Sequence, residues 1–110
     1  AKAHFLALGP LSDCDAVIIW GAGQMGRRLS KHLIRNGMPV TSFLDIDSRK
    51  IGRHLRGKPI YATDDLAEIW RQYKRPALLA AVSSRGARAL IRERLCNHGF
   101  VEAKDYWCVV

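Results

Sequence analysis

Cysteine is scarce in this 110-residue chain. Cys14, Cys96 and Cys108 are odd in number, far apart and form no CxxC pair. That excludes a disulfide framework and favours a reducing, cytoplasmic setting. Long apolar runs are missing too. The longest, Ala77 to Val82, is strand length, well short of the roughly 18 residues a membrane span needs. His4, His32, His54 and His98 stand at no ligand spacing to one another or to a cysteine, so no metal site is expected. The chain is also short. A complete two-domain dehydrogenase or a complete glycosyltransferase catalytic domain needs about twice its length or more. There is no initiator Met, and excision from a longer protein is the expectation.

Acidic residues are few: 10 Asp and Glu against 18 Lys and Arg leave a net charge of +8. Such a balance suits a phosphate-bearing ligand, an anionic membrane surface or a nucleic acid. The basic residues fall in three places. Arg27, Lys31 and Arg35 share one helical stripe, Arg85, Arg88 and Arg92 share another, and Arg49, Lys50, Arg53, Arg56 and Lys58 crowd one loop. No aromatics interleave with them, and neither helix-turn-helix nor zinc-finger spacing is present. The expected partners are a nucleotide-type small molecule and a neighbouring domain or membrane surface, not nucleic acid.

Residues 1–15 read as a linker or lead-in segment, broken at Gly9-Pro10. From residue 16 to 110 strands and helices alternate. Ala16 to Trp20 is an uninterrupted β-branched run, as a strand buried on both faces requires. A helix follows to about Arg35, with Met25, Leu29 and Leu33 as its apolar stripe. Val40 to Leu44, Pro59 to Tyr61, Ala77 to Val82 and Tyr106 to Val110 read as further strands. A helix capped by Thr63 carries Leu66, Ile69, Trp70 and Tyr73 inward. The last helix, 87–98, turns Ala87, Leu90, Ile91 and Leu95 inward. The pattern predicts one α/β domain: a three-layer Rossmann-like fold with a mostly parallel sheet of about five strands and helices on both faces.

Gly21-Ala22-Gly23-Gln24-Met25-Gly26 matches GxGxxG, follows a predicted strand and opens a predicted helix. In that context Gly21 makes the tight turn, Gly23 lets a phosphate approach the backbone, and Gly26 lets the helix pack close. The helix N-terminus offers free N–H groups and a positive dipole to an anion. Asp45, about 20 residues past the third glycine, stands where a dinucleotide fold places its ribose acid. A carboxylate there repels a 2′-phosphate and prefers NAD to NADP, although Arg49 lies close in sequence. The alternative for Asp45 and Asp47 is turn nucleation after the strand. Asp45-Ile46-Asp47 also spells DxD, a metal-binding pair in many glycosyltransferases, but the spelling is unspecific. A second turn, Ser83-Ser84-Arg85-Gly86, emerges beside the glycine loop across the topological switch point. Its serines and Arg85 suit a phosphate, or equally a helix cap with a solvated arginine. Trp20 abuts the loop, either to stack on a base or to pack under a helix.

Catalytic constellations are missing: no GxSxG elbow, no Cys/His pair, and no Tyr followed by Lys four residues later. The chain is expected to bind rather than to catalyse.

Val17 to Gly23, Phe43 to Asp47, Lys50-Ile51-Gly52-Arg53 and Gly57-Lys58-Pro59-Ile60 together resemble the Rossmann-like nucleotide-binding domains of polysaccharide-biosynthesis proteins. The closing stretches, Ala81 to Arg88 and Gly99 through Val109, are similar to the domain that follows the catalytic domain in some bacterial family 2 glycosyltransferases. The resemblance implies a non-catalytic nucleotide or sugar-nucleotide module, with an upstream glycosyltransferase domain in the same chain and peripheral membrane association through it. It places the ligand at Gly21, Ala22, Gly23, Gln24, Met25, Gly26, Asp45, Asp47, Ser83, Ser84 and Arg85. The resembled domains include the amino-terminal domains of sugar acetyltransferases; Met25 stands where these have a His, and Ser83-Ser84 where they have a Gly-polar turn. The cofactor stays open between a nucleotide, NAD(P) and a sugar nucleotide. Two other readings remain: an NAD(P)-binding domain of a small oxidoreductase or redox sensor, and a docking domain with an empty glycine loop.

Overall fold

A computed structural model describes residues 13–82 and 85–108. Six strands run β1 (Ala16–Trp20), β2 (Val40–Asp45), β3 (His54–Leu55), β4 (Lys58–Ala62), β5 (Pro76–Ala80) and β6 (Tyr106–Cys108). Three helices, α1 (Gln24–Arg35), α2 (Leu66–Trp70) and α3 (Arg85–Asn97), connect them. The sheet order is β3-β4-β2-β1-β5-β6, parallel throughout except for β3 against β4. This is the mostly parallel Rossmann-like α/β architecture that the alternation predicts.

Period-two alternation on the central strands builds two cores. Val17 and Ile19 of β1, Phe43 of β2 and Ala77 and Leu79 of β5 pack with Leu33, Met25 and Leu29 of α1 on one face. Ile18, Trp20, Leu44, Leu78 and Ala80 pack with Leu66 and Ile69 of α2 and Ile91 and Leu95 of α3 on the other. All five residues of β1 are buried, as expected of a central strand covered on both sides. β1 pairs with β5 in unbroken register, Ala16 with Pro76 through Trp20 with Ala80. The direction of strand order reverses at this pair, and a crevice opens at its carboxyl end.

Four expectations change. β3 is a strand the sequence reading lacks. Arg56-Gly57 closes a two-residue hairpin with positive φ at both residues, 53° and 75°, and an arginine in such a turn gives no sequence signal. The helix after Thr63 is shorter than predicted. A 3-10 turn, Thr63–Asp65, precedes α2, and Thr63 is buried rather than capping. Leu90 was expected inward but is 68% exposed. It lies one position off the Ile91 and Leu95 stripe, on the side facing the crevice. Residues 1–12 of the expected 1–15 lead-in, and 109–110 of the expected last strand, lie outside the described residues. No described helix is long and apolar enough to cross a membrane.

Candidate nucleotide-binding site

The three loop glycines do different work. Gly21 leaves β1 at φ +118°, and its N–H donates to the Leu44 carbonyl at 2.7 Å. A Cβ there would stand 2.7 Å from the Ala81 carbonyl oxygen. At Gly26 a Cβ would fall 1.8 Å from the Gly21 carbonyl oxygen, so α1 seats on the loop only with glycine at that position. Strand and helix packing therefore account for both outer glycines. Gly23 is not explained that way. Its φ of −85° and ψ of −156° are open to any residue, and the nearest atom to its Cβ position is Lys50 Nζ at 3.6 Å. It is the N-cap of α1 and supplies no capping side chain. The first amides of the helix have no intrahelical partner. They lie at a groove of about 400 Å³ lined by Gly21, Gly23, Gln24, Met25, Asp45 and Lys50, with Ala81, Val82 and Ala87 on its far side.

Asp45 binds the glycine loop itself. Its Oδ2 accepts the Ala22 N–H and its Oδ1 the Asp47 N–H, both at 2.9 Å. The second bond is the turn considered from sequence; the first, a clamp from the end of β2 onto the loop, is new. Each oxygen keeps a further acceptor site, so a ribose hydroxyl fits against the same carboxylate. Asp47 is committed elsewhere. Arg49 grips it with Nε to Oδ1 and Nη2 to Oδ2, both 3.1 Å, and with its backbone N–H at 3.0 Å. The Arg49 guanidinium hydrogen bonds hold the Asp47 carboxyl below the usual carboxylate range. Asp47 lines none of the described cavities around the loop. Asp45 and Asp47 thus do not converge as a DxD metal pair.

Ser83 and Ser84 lie outside the described residues, as does the Arg85 side chain. Their neighbours Val82 and Ala87 line the groove, which puts the second turn's flanks where the topology requires.

The sequence reading misses a second cavity. Trp20, Gly21, Asp45, Ile46, Val82, Leu90, Ile91 and Arg94 line a mostly apolar cleft of about 280 Å³ that shares Gly21 and Asp45 with the groove. Ile46, 78% exposed, lines this cleft together with Leu90. Trp20 is buried in the core, in line with its packing alternative, yet it also lines this cleft. Arg94 lies 5.8 Å over that ring and pairs with Asp64. An isoleucine between two aspartates and a leucine off the core stripe were the available signals.

Residues 14–98 match the family model of the CoA-binding domain. The chain belongs to the CoA-binding domain family. This CoA-binding domain is 30% identical over 83 residues to the redox-sensing transcriptional repressor Rex of Treponema denticola, covering 74% of this chain and 39% of that protein. Among solved structures it resembles RSP, a Rex-family repressor, with a TM-score of 0.70 at 17% identity over 97% of this chain and 50% of the other. It also resembles UDP-D-quinovosamine 4-dehydrogenase from Vibrio fischeri, with a TM-score of 0.65 at 25% identity over 76% of this chain and 71% of the other. The CoA-binding domain thus spans about two fifths of the curated relative and half of the repressor. These relatives are repressors and a dehydrogenase, not domains appended to glycosyltransferases. One further expectation is corrected here. RSP has been solved with β-NAD+ and operator DNA, so dismissing nucleic acid as a partner does not stand for proteins of this kind. The dismissal relied on two signals: basic faces without interleaved aromatics, which concerns single-strand binders only, and the lack of helix-turn-helix or zinc-finger spacing, which concerns this stretch of chain only.

Proposed function

We propose that this CoA-binding domain is a non-catalytic dinucleotide sensor that holds NAD(H) in the groove between the glycine loop and Asp45. The observation carrying the reading is Gly23: the fold leaves its Cβ position open, and a diphosphate passing over the α1 amides needs that space. The relatives support the same ligand class, since RSP has been solved with β-NADH as well as with β-NAD+.

Each residue then has a task. The α1 amides and Gly23 seat the diphosphate. Asp45 orients the ribose by accepting from its hydroxyl while clamping Ala22. Ile46 and Leu90 take the faces of a planar base in the apolar cleft. When bound, the dinucleotide supplies a nicotinamide whose charge changes on reduction. A DNA-binding assembly containing this domain would read that change, so operator DNA belongs to the proposal as a partner.

The family description notwithstanding, coenzyme A fits less well. It carries a 3′-phosphate on the ribose, and NADP carries a 2′-phosphate. Either charge set about 5 Å from Asp45 meets a repulsion of about 3 kcal/mol at an effective dielectric of 20. A second reading, sugar-nucleotide binding, rests on the 25% identity to the quinovosamine dehydrogenase. Calorimetry with NADH, NAD+, NADP+, coenzyme A and a UDP-sugar separates them. NADH is expected to bind tightest; preference for the UDP-sugar establishes the second reading, and a folded chain that binds none of them overturns both.

A further inference from the structure

Lys50 is absent from every sequence-level account of the site, yet its ammonium is the atom nearest the open position at Gly23, at 3.6 Å. The chain brings it there by coiling back after β2. The Asp47 carbonyl accepts the N–H groups of Lys50 at 2.9 Å and Ile51 at 3.2 Å. Gly52 donates to the Ile60 carbonyl and Ile60 to the Arg53 carbonyl, both at 2.9 Å, which fastens the end of the coil to β4. Arg56, in the β3–β4 turn, then straps this region to α1. Its Nε reaches the Arg27 carbonyl and Ser30 Oγ, both at 3.1 Å, and its Nη2 reaches the same carbonyl at 3.0 Å.

Lys50 lines both cavities that flank Gly23, one shared with Asp45 and the other with Arg27. Among the described residues its ammonium makes no ion pair. The acid on its own turn, Asp47, is gripped by Arg49. The ammonium of a half-buried lysine therefore stands beside the one glycine of the loop whose role packing does not explain.

We propose that Lys50 is the side-chain anchor of the ligand's diphosphate, acting at Gly23 together with the α1 amides. The assignment rests on the nucleotide reading above. An ammonium suits the task because its three donors can reach oxygens of both phosphates from one point.

The test is titration of the full chain with NADH, followed by its fluorescence, for wild type, Lys50→Gln and Lys50→Arg at low and moderate salt. Lys50→Gln is expected to weaken NADH by about tenfold or more, the usual worth of a hydrogen bond to a charged group. Its affinity should also depend less on salt than the wild type's, because one screened charge pair is gone. Lys50→Arg should keep most of the affinity. Melting curves establish that both variants fold. Wild-type binding with unchanged Lys50→Gln affinity and salt slope overturns the Lys50 assignment and leaves the nucleotide reading standing. A folded wild type that binds no NADH removes both.

Discussion

Gly26→Ala separates the packing role of the glycine loop from its binding role. Helix propensity alone favours the substitution, since alanine in a helix interior is better than glycine by about 1 kcal/mol. The structure reverses the sign. The new methyl would stand 1.8 Å from the Gly21 carbonyl oxygen and 2.9 Å from its carbon. Both obstacles are backbone, and Gly21 is itself pinned by its N–H bond to Leu44 at 2.7 Å. Helix and loop must part by roughly 1 Å or more, and overpacking of that kind costs about 1–3 kcal/mol, at the upper end where no side chain can rotate away. A net loss of about 1–2 kcal/mol lowers the melting temperature of a domain this size by roughly 5–15 °C. Gly23→Ala is the counterpart. Its backbone angles suit alanine and its surroundings are open, so stability should stay within about 1 kcal/mol of wild type. NADH affinity should nonetheless collapse. Thermal melts and NADH titrations of the two variants check this. A Gly26→Ala chain as stable as wild type, or a Gly23→Ala chain with undiminished binding, refutes the reasoning.

Three further outcomes are expected. Asp45→Asn leaves one oxygen for two N–H groups and sets an amide against the other, so it should cost about 1–3 kcal/mol in urea unfolding and weaken NADH as well; undiminished stability would mean the clamp on Ala22 is idle. At Arg56 the stability order should be wild type, then Arg56→Gly, then Arg56→Ala. Both variants lose the strap, worth about 1 kcal/mol, but only glycine accepts the positive φ without strain; an alanine variant more stable than the glycine one contradicts this. Asp15 supplies the pH dependence. Asp15 is exposed; slight desolvation pushes its carboxyl up, but the N–H groups of Lys74 and Arg75, at 2.8 and 2.9 Å, outweigh that and hold it below its ordinary 3.8. A depressed folded value stabilises above the ordinary range and is lost as pH falls through it. Asp15→Asn should therefore melt lower than wild type at pH 7 and converge with it in acid, whereas a gap constant with pH would count against the assignment.

The parallel sheet was legible because burial on both faces leaves a plain mark: Ala16 to Trp20 and Ala77 to Ala80 carry no polar residue. The glycine loop was legible for a similar reason, since Gly21 and Gly26 answer to local backbone geometry. β3 was hidden because two residues carry no periodicity and its turn opens with arginine. Leu90 was misplaced because apolar identity does not say which wall a residue faces, and here it faces the cleft beside Asp45. Lys50 was visible as one charge in a basic loop and as part of the Lys50-Ile51-Gly52-Arg53 segment, neither of which gave it a task at the site. What singles it out is the coil from Asp47 to Arg53, a tertiary fact. The partner reading failed at another level: a domain's own motifs describe what it binds, not what the assembly around it contacts.

The central claim is that the groove at Gly23 and Asp45 holds a nicotinamide dinucleotide. Its most direct test is competition against bound NADH, read by fluorescence on the full chain. Saturable one-to-one binding is expected, displaced by NAD+, with NADP+ and coenzyme A weaker by about tenfold or more because of the charge they bring to Asp45. A folded chain with no saturable NADH signal, or one from which coenzyme A displaces NADH more readily than NAD+ does, would contradict the account.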